Sequence, residues 1–133
     1  MRIIILGSGR VGARLATELS GAGHEITIID KNSVAFRRLG KDYHGQVVVG
    51  TGIDSDVLRK AGIDSADVFL ALTNGDNTNL MTAQVAKKIF KINRVMARCY
   101  DPERAKAFRE LGIQTICSTS IMAEQIEKEM GLI

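Results

Sequence analysis

The sequence has one proline, no tryptophan, two cysteines and two histidines in 133 residues. With one proline there are few forced chain breaks, so regular secondary structure can run through most of the chain. Cys99 and Cys117 are too few for a disulfide framework and too far apart for a CxxC metal site. Aromatic residues make up only 5%, and no run of five basic residues occurs. Both the stacking platform and the basic stripe of a nucleic-acid binder are therefore missing, and no nucleic-acid partner is expected. No apolar run approaches the roughly 18 residues of a membrane-spanning helix. The start of the chain, Ile3 to Leu6, is strand-like and lacks the long apolar stretch of a signal peptide. A cytoplasmic protein is the simplest expectation.

What is present is a packed-globule composition, 45% apolar, with 13 glycines and a net charge of +3. The length is that of one domain. Short β-branched runs alternate with helical patterns. The strand expectations are Arg2–Leu6, Glu25–Ile29, Gln46–Val49, Val68–Leu72, Arg94–Cys99 and Gln114–Cys117. Nearly continuous apolar runs such as IIIL, ITII and VVV fit strands buried on both faces of a parallel sheet. The helical expectations are Arg10–Ser20, Asn32–Leu39, Asp54–Ala61, Asp76–Phe90, Pro102–Leu111 and Ser120–Met130. Strict β–α alternation predicts an α/β fold of Rossmann type, a doubly wound parallel six-stranded sheet in a single domain over residues 1–133.

Gly7-Ser8-Gly9-Arg10-Val11-Gly12 fits G-x-G-x-x-G. The pattern alone is weak, but an apolar strand precedes it, an amphipathic helix follows it, and Asp30 ends the next strand 18 residues after Gly12. That conjunction points to dinucleotide binding. Gly7 permits the tight exit from the strand, Gly9 lets phosphates approach the backbone, and Gly12 lets the helix pack on the sheet. The free N–H groups at the helix start attract the phosphates. Asp30 accepts from ribose hydroxyls and repels a 2′-phosphate, an effect that neighbouring Lys31 softens. Arg10 stands at the mouth of the phosphate site, where it can pair with a pyrophosphate or a third phosphate. ATP therefore competes with NAD as the expected ligand.

A dehydrogenase also needs a proton-transfer group near the nicotinamide. His24, His44 and Tyr43 precede strands and so fall at the wrong edge of the sheet. Tyr100 is on the correct edge with nothing beside it to activate it. No catalytic residue is assigned, and a nucleotide sensor without its own chemistry is expected; the alternative is a small NAD-dependent oxidoreductase domain. Cys99 and Cys117 are expected as small buried hydrophobes.

The opening I-I-I-L-G-S-G-R-V-G resembles the N-terminal domain of TrkA-type potassium-uptake regulators, the RCK or KTN domain. Further matches are Gly23-His24-Glu25, Ile29-Asp30-Lys31, Val49-Gly50-Thr51-Gly52, Gly62-Ile63-Asp64-Ser65-Ala66-Asp67, the stretch Ala71 to Asn79, Ala97-Arg98 with Asp101-Pro102, and Leu111-Gly112. The resemblance covers essentially the whole chain. It implies a cytosolic regulatory subunit that binds NAD or NADH, or alternatively ATP, ADP or AMP. Such a subunit sits at the inner face of the membrane and gates an integral-membrane potassium-translocating partner. It implies that Gly7, Ser8, Gly9, Arg10 and Val11 hold phosphates, and that Asp30 and Lys31 hold the adenosine ribose. Thr51 and Gly52 would lie near the adenine. Thr73, Asn74, Asp76 and Asn79 would face the second half of the nucleotide, and Arg98 would be a further phosphate partner.

Three departures follow from the same comparison. Thr51 stands where many relatives carry an acid. Ser118-Thr119-Ser120 stands where some carry a Pro-Glu that helps hold a divalent ion, so no metal is expected. The chain stops at Ile133, where relatives often continue into a second domain, so it is either a short stand-alone member or an excised domain. The last helix carries an apolar stripe of Ile121, Met122, Ile126 and Met130, followed by Leu132 and Ile133. The resemblance implies a homodimer through this region, with octameric rings among relatives.

Overall fold

The computed structural model describes residues 1–133. Six strands form one parallel sheet: β1 (Arg2–Leu6), β2 (Glu25–Asp30), β3 (Gln46–Val49), β4 (Val68–Ala71), β5 (Arg94–Cys99) and β6 (Gln114–Cys117). Their spatial order is β3-β2-β1-β4-β5-β6. The direction in which successive strands are added thus reverses between β1 and β4, and the crevice at their C-terminal ends is where such a sheet receives ligands. The register sets Leu6 beside both Ile29 and Ala71. The loops leaving β1, β2 and β4 therefore emerge side by side.

Five α-helices accompany the sheet: α1 (Arg10–Gly21), α2 (Ser55–Lys60), α3 (Asp76–Gln84), α4 (Pro102–Glu110) and α5 (Ser118–Glu129). Two core clusters flank the strands. The larger holds Leu6, Phe69, Ala97, Cys99, Phe108 and Cys117; the smaller holds Ile3, Ile5, Ile26, Ile28 and Ala16 of α1. Ile5 and Ile28 are completely buried, and each such side chain contributes roughly 1.5–3 kcal/mol. Local chemistry starts the helices: Asp54 caps α2 and Asp101, before Pro102, caps α4.

The structure departs from the sequence expectation in four places. The segment expected as a helix over 32–39 is a 3₁₀ helix, Ser33–Arg38, capped by Asn32. It is too short to cover the edge strand β3, whose Val47 and Val49 are about half exposed, so β3 is not buried on both faces. The segment expected as one helix to Phe90 ends as α-helix at Gln84 and continues as a π turn, Val85–Ile89. The last helix begins at Ser118, directly after β6, and buries none of its residues.

The glycines of the loop divide by what holds them. Gly7 has φ +106°, and a Cβ there would lie 2.8 Å from the Leu72 carbonyl oxygen. A Cβ on Gly12 would lie 1.9 Å from the Gly7 carbonyl oxygen. Gly9 has φ −75° and a Cβ would meet nothing within 4 Å. Gly12→Ala is therefore expected to cost about 2–3 kcal/mol or prevent folding, while Gly9→Ala changes stability by less than about 0.5 kcal/mol. Urea unfolding of the two variants measures the difference.

A candidate nucleotide site at the switch point of the sheet

The loop between β1 and α1 is locked from outside by the segment after β2. The Ser8 N–H donates to Asp30 Oδ2 at 2.8 Å, and the fully buried Ser8 hydroxyl donates to the Ala35 carbonyl at 3.0 Å. Arg38 Nη1 donates to the Ser8 carbonyl at 3.3 Å. The second Asp30 oxygen accepts from the Asn32 N–H at 2.8 Å. Asp30 is thus fixed beside the loop, partly exposed, and each oxygen keeps acceptor capacity for a further hydroxyl.

The start of α1 is open. Gly9 supplies no side-chain cap and the first turn holds no acid, so backbone N–H groups there face outward with the positive end of the helix dipole. Arg10, Lys31 and Arg38 are exposed around the loop, and none forms an ion pair. Arg10 and Arg38 line a shared groove with Arg14, Thr17 and Gly40. The arrangement can accept an anion at the helix start and a hydroxyl pair at Asp30. Arg38 escaped sequence reading; its only signal was a cation in the short turn after the acid-bearing strand. Val11 is exposed on the same turn.

The other named residues occupy the same edge in different states. Thr51 is exposed after β3, while Gly52 is buried against Leu6, where a Cβ would lie 2.4 Å from Leu6 Cδ2. After β4, Asn79 is completely buried. Its carbonyl oxygen accepts from the Thr73 N–H at 2.9 Å and the Thr73 hydroxyl at 2.7 Å; its amide donates to the Thr73 and Arg98 carbonyls, each at 2.9 Å. Arg98 is 9% exposed. Its Nη2 donates to the Leu72 carbonyl at 2.6 Å and the Thr73 carbonyl at 3.1 Å, its guanidinium lies 5.1 Å from the Tyr100 ring centroid, and its Nε has no partner. Asn74 is exposed and accepts from the Tyr100 hydroxyl at 3.3 Å.

Asp76 accepts from the Tyr100 N–H at 3.0 Å and the Asp101 N–H at 3.4 Å. Burial pushes its carboxyl up, but these backbone donors, the Cys99 thiol and Arg104 together hold it below the ordinary aspartate value. His24 accepts from the terminal amine at the opposite edge, and Tyr43 bonds the Ile26 and Gln46 carbonyls there. Burial pushes Tyr43 up to about 12.

Two outcomes follow from this network. Asn79→Ala strands the groups it joins and is expected to cost about 2–3 kcal/mol, read by urea unfolding. Asp76 has a depressed folded pKa, so its stabilisation is complete above the ordinary value of about 3.9 and is lost as pH falls through the folded value. Asp76→Asn is expected to flatten the acid limb of a Tm-against-pH profile below about pH 4.

The chain matches the model of the TrkA-N domain over residues 3–119. It is 43% identical over 130 residues to the Trk system potassium uptake protein TrkA of Streptomyces coelicolor, covering 98% of this chain and 58% of that protein. It spans less than two thirds of the length of that relative. Among solved structures it is similar to the GsuK channel bound to NAD, with TM-score 0.79 and 25% identity over 96% of this chain and 24% of that one. It is equally similar to GsuK bound to ADP, with TM-score 0.79 and 25% identity over 94% of this chain and 32% of that one. With a six-stranded parallel sheet, an open glycine loop at its switch point and a family match over most of its length, the chain belongs to the TrkA-N domain family.

Proposed function

We propose that this domain binds an adenine nucleotide, NAD or NADH or else ATP, ADP or AMP, and through it regulates an integral-membrane potassium-translocating partner. The observation that carries the reading is Gly9. Neither its backbone angle nor its packing demands glycine, and it caps the one long helix whose start opens at the crevice beside a fixed carboxylate. A ligand phosphate seated against the backbone is what a side chain would obstruct.

In this reading Gly7, Gly9, Arg10 and the N–H groups at Val11 and Gly12 hold phosphates. Ser8 acts by fixing the loop and Asp30, since its N–H is given to Asp30 and its hydroxyl to Ala35. Asp30 and Lys31 take the ribose, and Thr51 and Gly52 border the adenine. Thr73, Asn74 and Asp76 line the second half of the crevice, with Asn79 bracing them from beneath and Arg98 adding positive charge at the loop after β4. The domain performs no reaction of its own: the Tyr100 hydroxyl is engaged by Asn74 and the histidines lie at the far edge. The relatives' names support potassium transport as the setting, as does the channel identity of the GsuK neighbours.

No helix of the chain is long and apolar enough to cross a membrane; the potassium-uptake names of the relatives support action on a membrane partner at its cytoplasmic face. The exposed stripe Ile121, Met122, Ile126 and Met130 on α5 supports pairing of two copies through that helix.

Calorimetric titration with ATP, ADP, NAD and NADH tests the reading. Gly9→Ala and Asp30→Ala are expected to weaken every ligand that binds by about ten-fold or more, 1.4 kcal/mol each, with Gly9→Ala retaining wild-type stability. Arg10→Ala is expected to weaken ATP more than ADP. No heat and no Tm shift with any of the four would refute nucleotide binding; equal losses across the set for Arg10→Ala would refute the extra-phosphate role.

A further inference from the structure

Cys99 and Cys117 have no part in the reading above, yet they are adjacent. The β5–β6 register sets Cys99 opposite Cys117. Both are buried in the same core cluster on one face of the sheet, and both are free thiols. Register partners on neighbouring strands lie about 4.8 Å apart, inside the roughly 4.4–6.8 Å Cα separation that a disulfide spans. The two side chains leave the sheet in the same direction, so a bridge needs no exchange of faces.

Their surroundings differ. Cys117 is the N-cap of α5, and the Ser120 hydroxyl donates to its sulfur at 3.4 Å. The Cys117 thiol itself donates to the Tyr100 carbonyl at 3.7 Å. Cys99 donates to the Asp101 carbonyl at 3.3 Å. Burial, with the Asp76 carboxylate beside it, pushes that thiol up to about 11. Cys117 stands at the start of an unburied helix while Cys99 is completely buried, so Cys117 is the sulfur reached first and Cys99 the one behind it. Access comes from α5 itself: with no residue of the helix buried, local opening at its start costs little core packing.

We infer that Cys99 and Cys117 are a reversible thiol–disulfide pair, closed by a peroxide, that ties the start of α5 to the end of β5. The Cys117 sulfur attacks one peroxide oxygen; the S–O bond forms, the O–O bond breaks, and the departing hydroxide takes the Cys117 proton as water. The Cys99 sulfur then attacks the Cys117 sulfenic acid; the S–S bond forms, the S–O bond breaks, and hydroxide leaves with the Cys99 proton as a second water. Two thiols lose two electrons and one peroxide gains them. A dithiol reverses the change. This inference rests on neither the nucleotide nor the membrane partner.

The test is peptide mapping of the folded chain after hydrogen peroxide, without reductant. The expected product is an intramolecular Cys99–Cys117 linked peptide, no remaining free thiol, and recovery of both thiols with dithiothreitol. Cys99→Ser is expected to stop at a dimedone-trappable sulfenic acid on Cys117, and Cys117→Ser to oxidise about ten-fold more slowly. Hydrogen exchange in the first turn of α5 is expected to slow in the bridged form. Links only between chains, over-oxidation with no linked peptide, or equal oxidation rates in the two serine variants would overturn the pair. A bridge that leaves α5 exchange unchanged would overturn the tie to that helix. The wild-type map decides the chemistry even where a serine variant fails to fold.

Discussion

Two backbone turns in contact, the exit of β1 at Gly7 and the exit of β4 at Leu72–Thr73, set the shape of the crevice. At Gly7 the chain takes a left-handed conformation against the Leu72 carbonyl, and Gly12 sits on Gly7 in turn. Side chains at either place would force the loops apart. The first turn of α1 would then lift from the sheet, and its N–H groups would no longer converge with Asp30. The open backbone at Gly9, the place of Asp30 and the aim of the helix dipole are thus consequences of one steric condition.

The two sides of the crevice are built on opposite terms. Around β1 and β2 the polar groups are held but not exhausted: Asp30 is fixed by the Ser8 and Asn32 N–H groups, and the start of α1 is uncapped. Around β4 and β5 they are spent internally. Asn79 makes four hydrogen bonds to Thr73 and Arg98, and Arg98 gives its own to the carbonyls of Leu72 and Thr73. A buried guanidinium with only carbonyls and an aromatic ring for company, and a free Nε, carries an uncompensated desolvation cost. The field from that cation points into the side of the crevice where a second phosphate-bearing half of a ligand would lie.

The fold was legible because its signals are local and redundant. Apolar runs of strand length, caps such as Asp54 and Asp101, and one glycine motif in strand–turn–helix context each point to the same parallel sheet. The candidate residues were legible as a set of positions at one edge. Which side chains face out was not. Ser8 and Asn79 sit among the candidate site residues in sequence but turn inward, because their partners, Ala35 and Arg98, are distant in the chain. Arg38 was missed for the same reason: its link to Ser8 crosses 30 residues. The 3₁₀ segment and the π turn depend on how much sheet face remains to be covered, which periodicity does not encode.

The last helix, finally, stands apart from the buried core. A helix with no buried residue adds little to the core shared by the sheet and its flanking helices. Whatever packs on the exposed Ile121, Met122 and Ile126 of this helix can engage it without drawing on the core that keeps the crevice in shape.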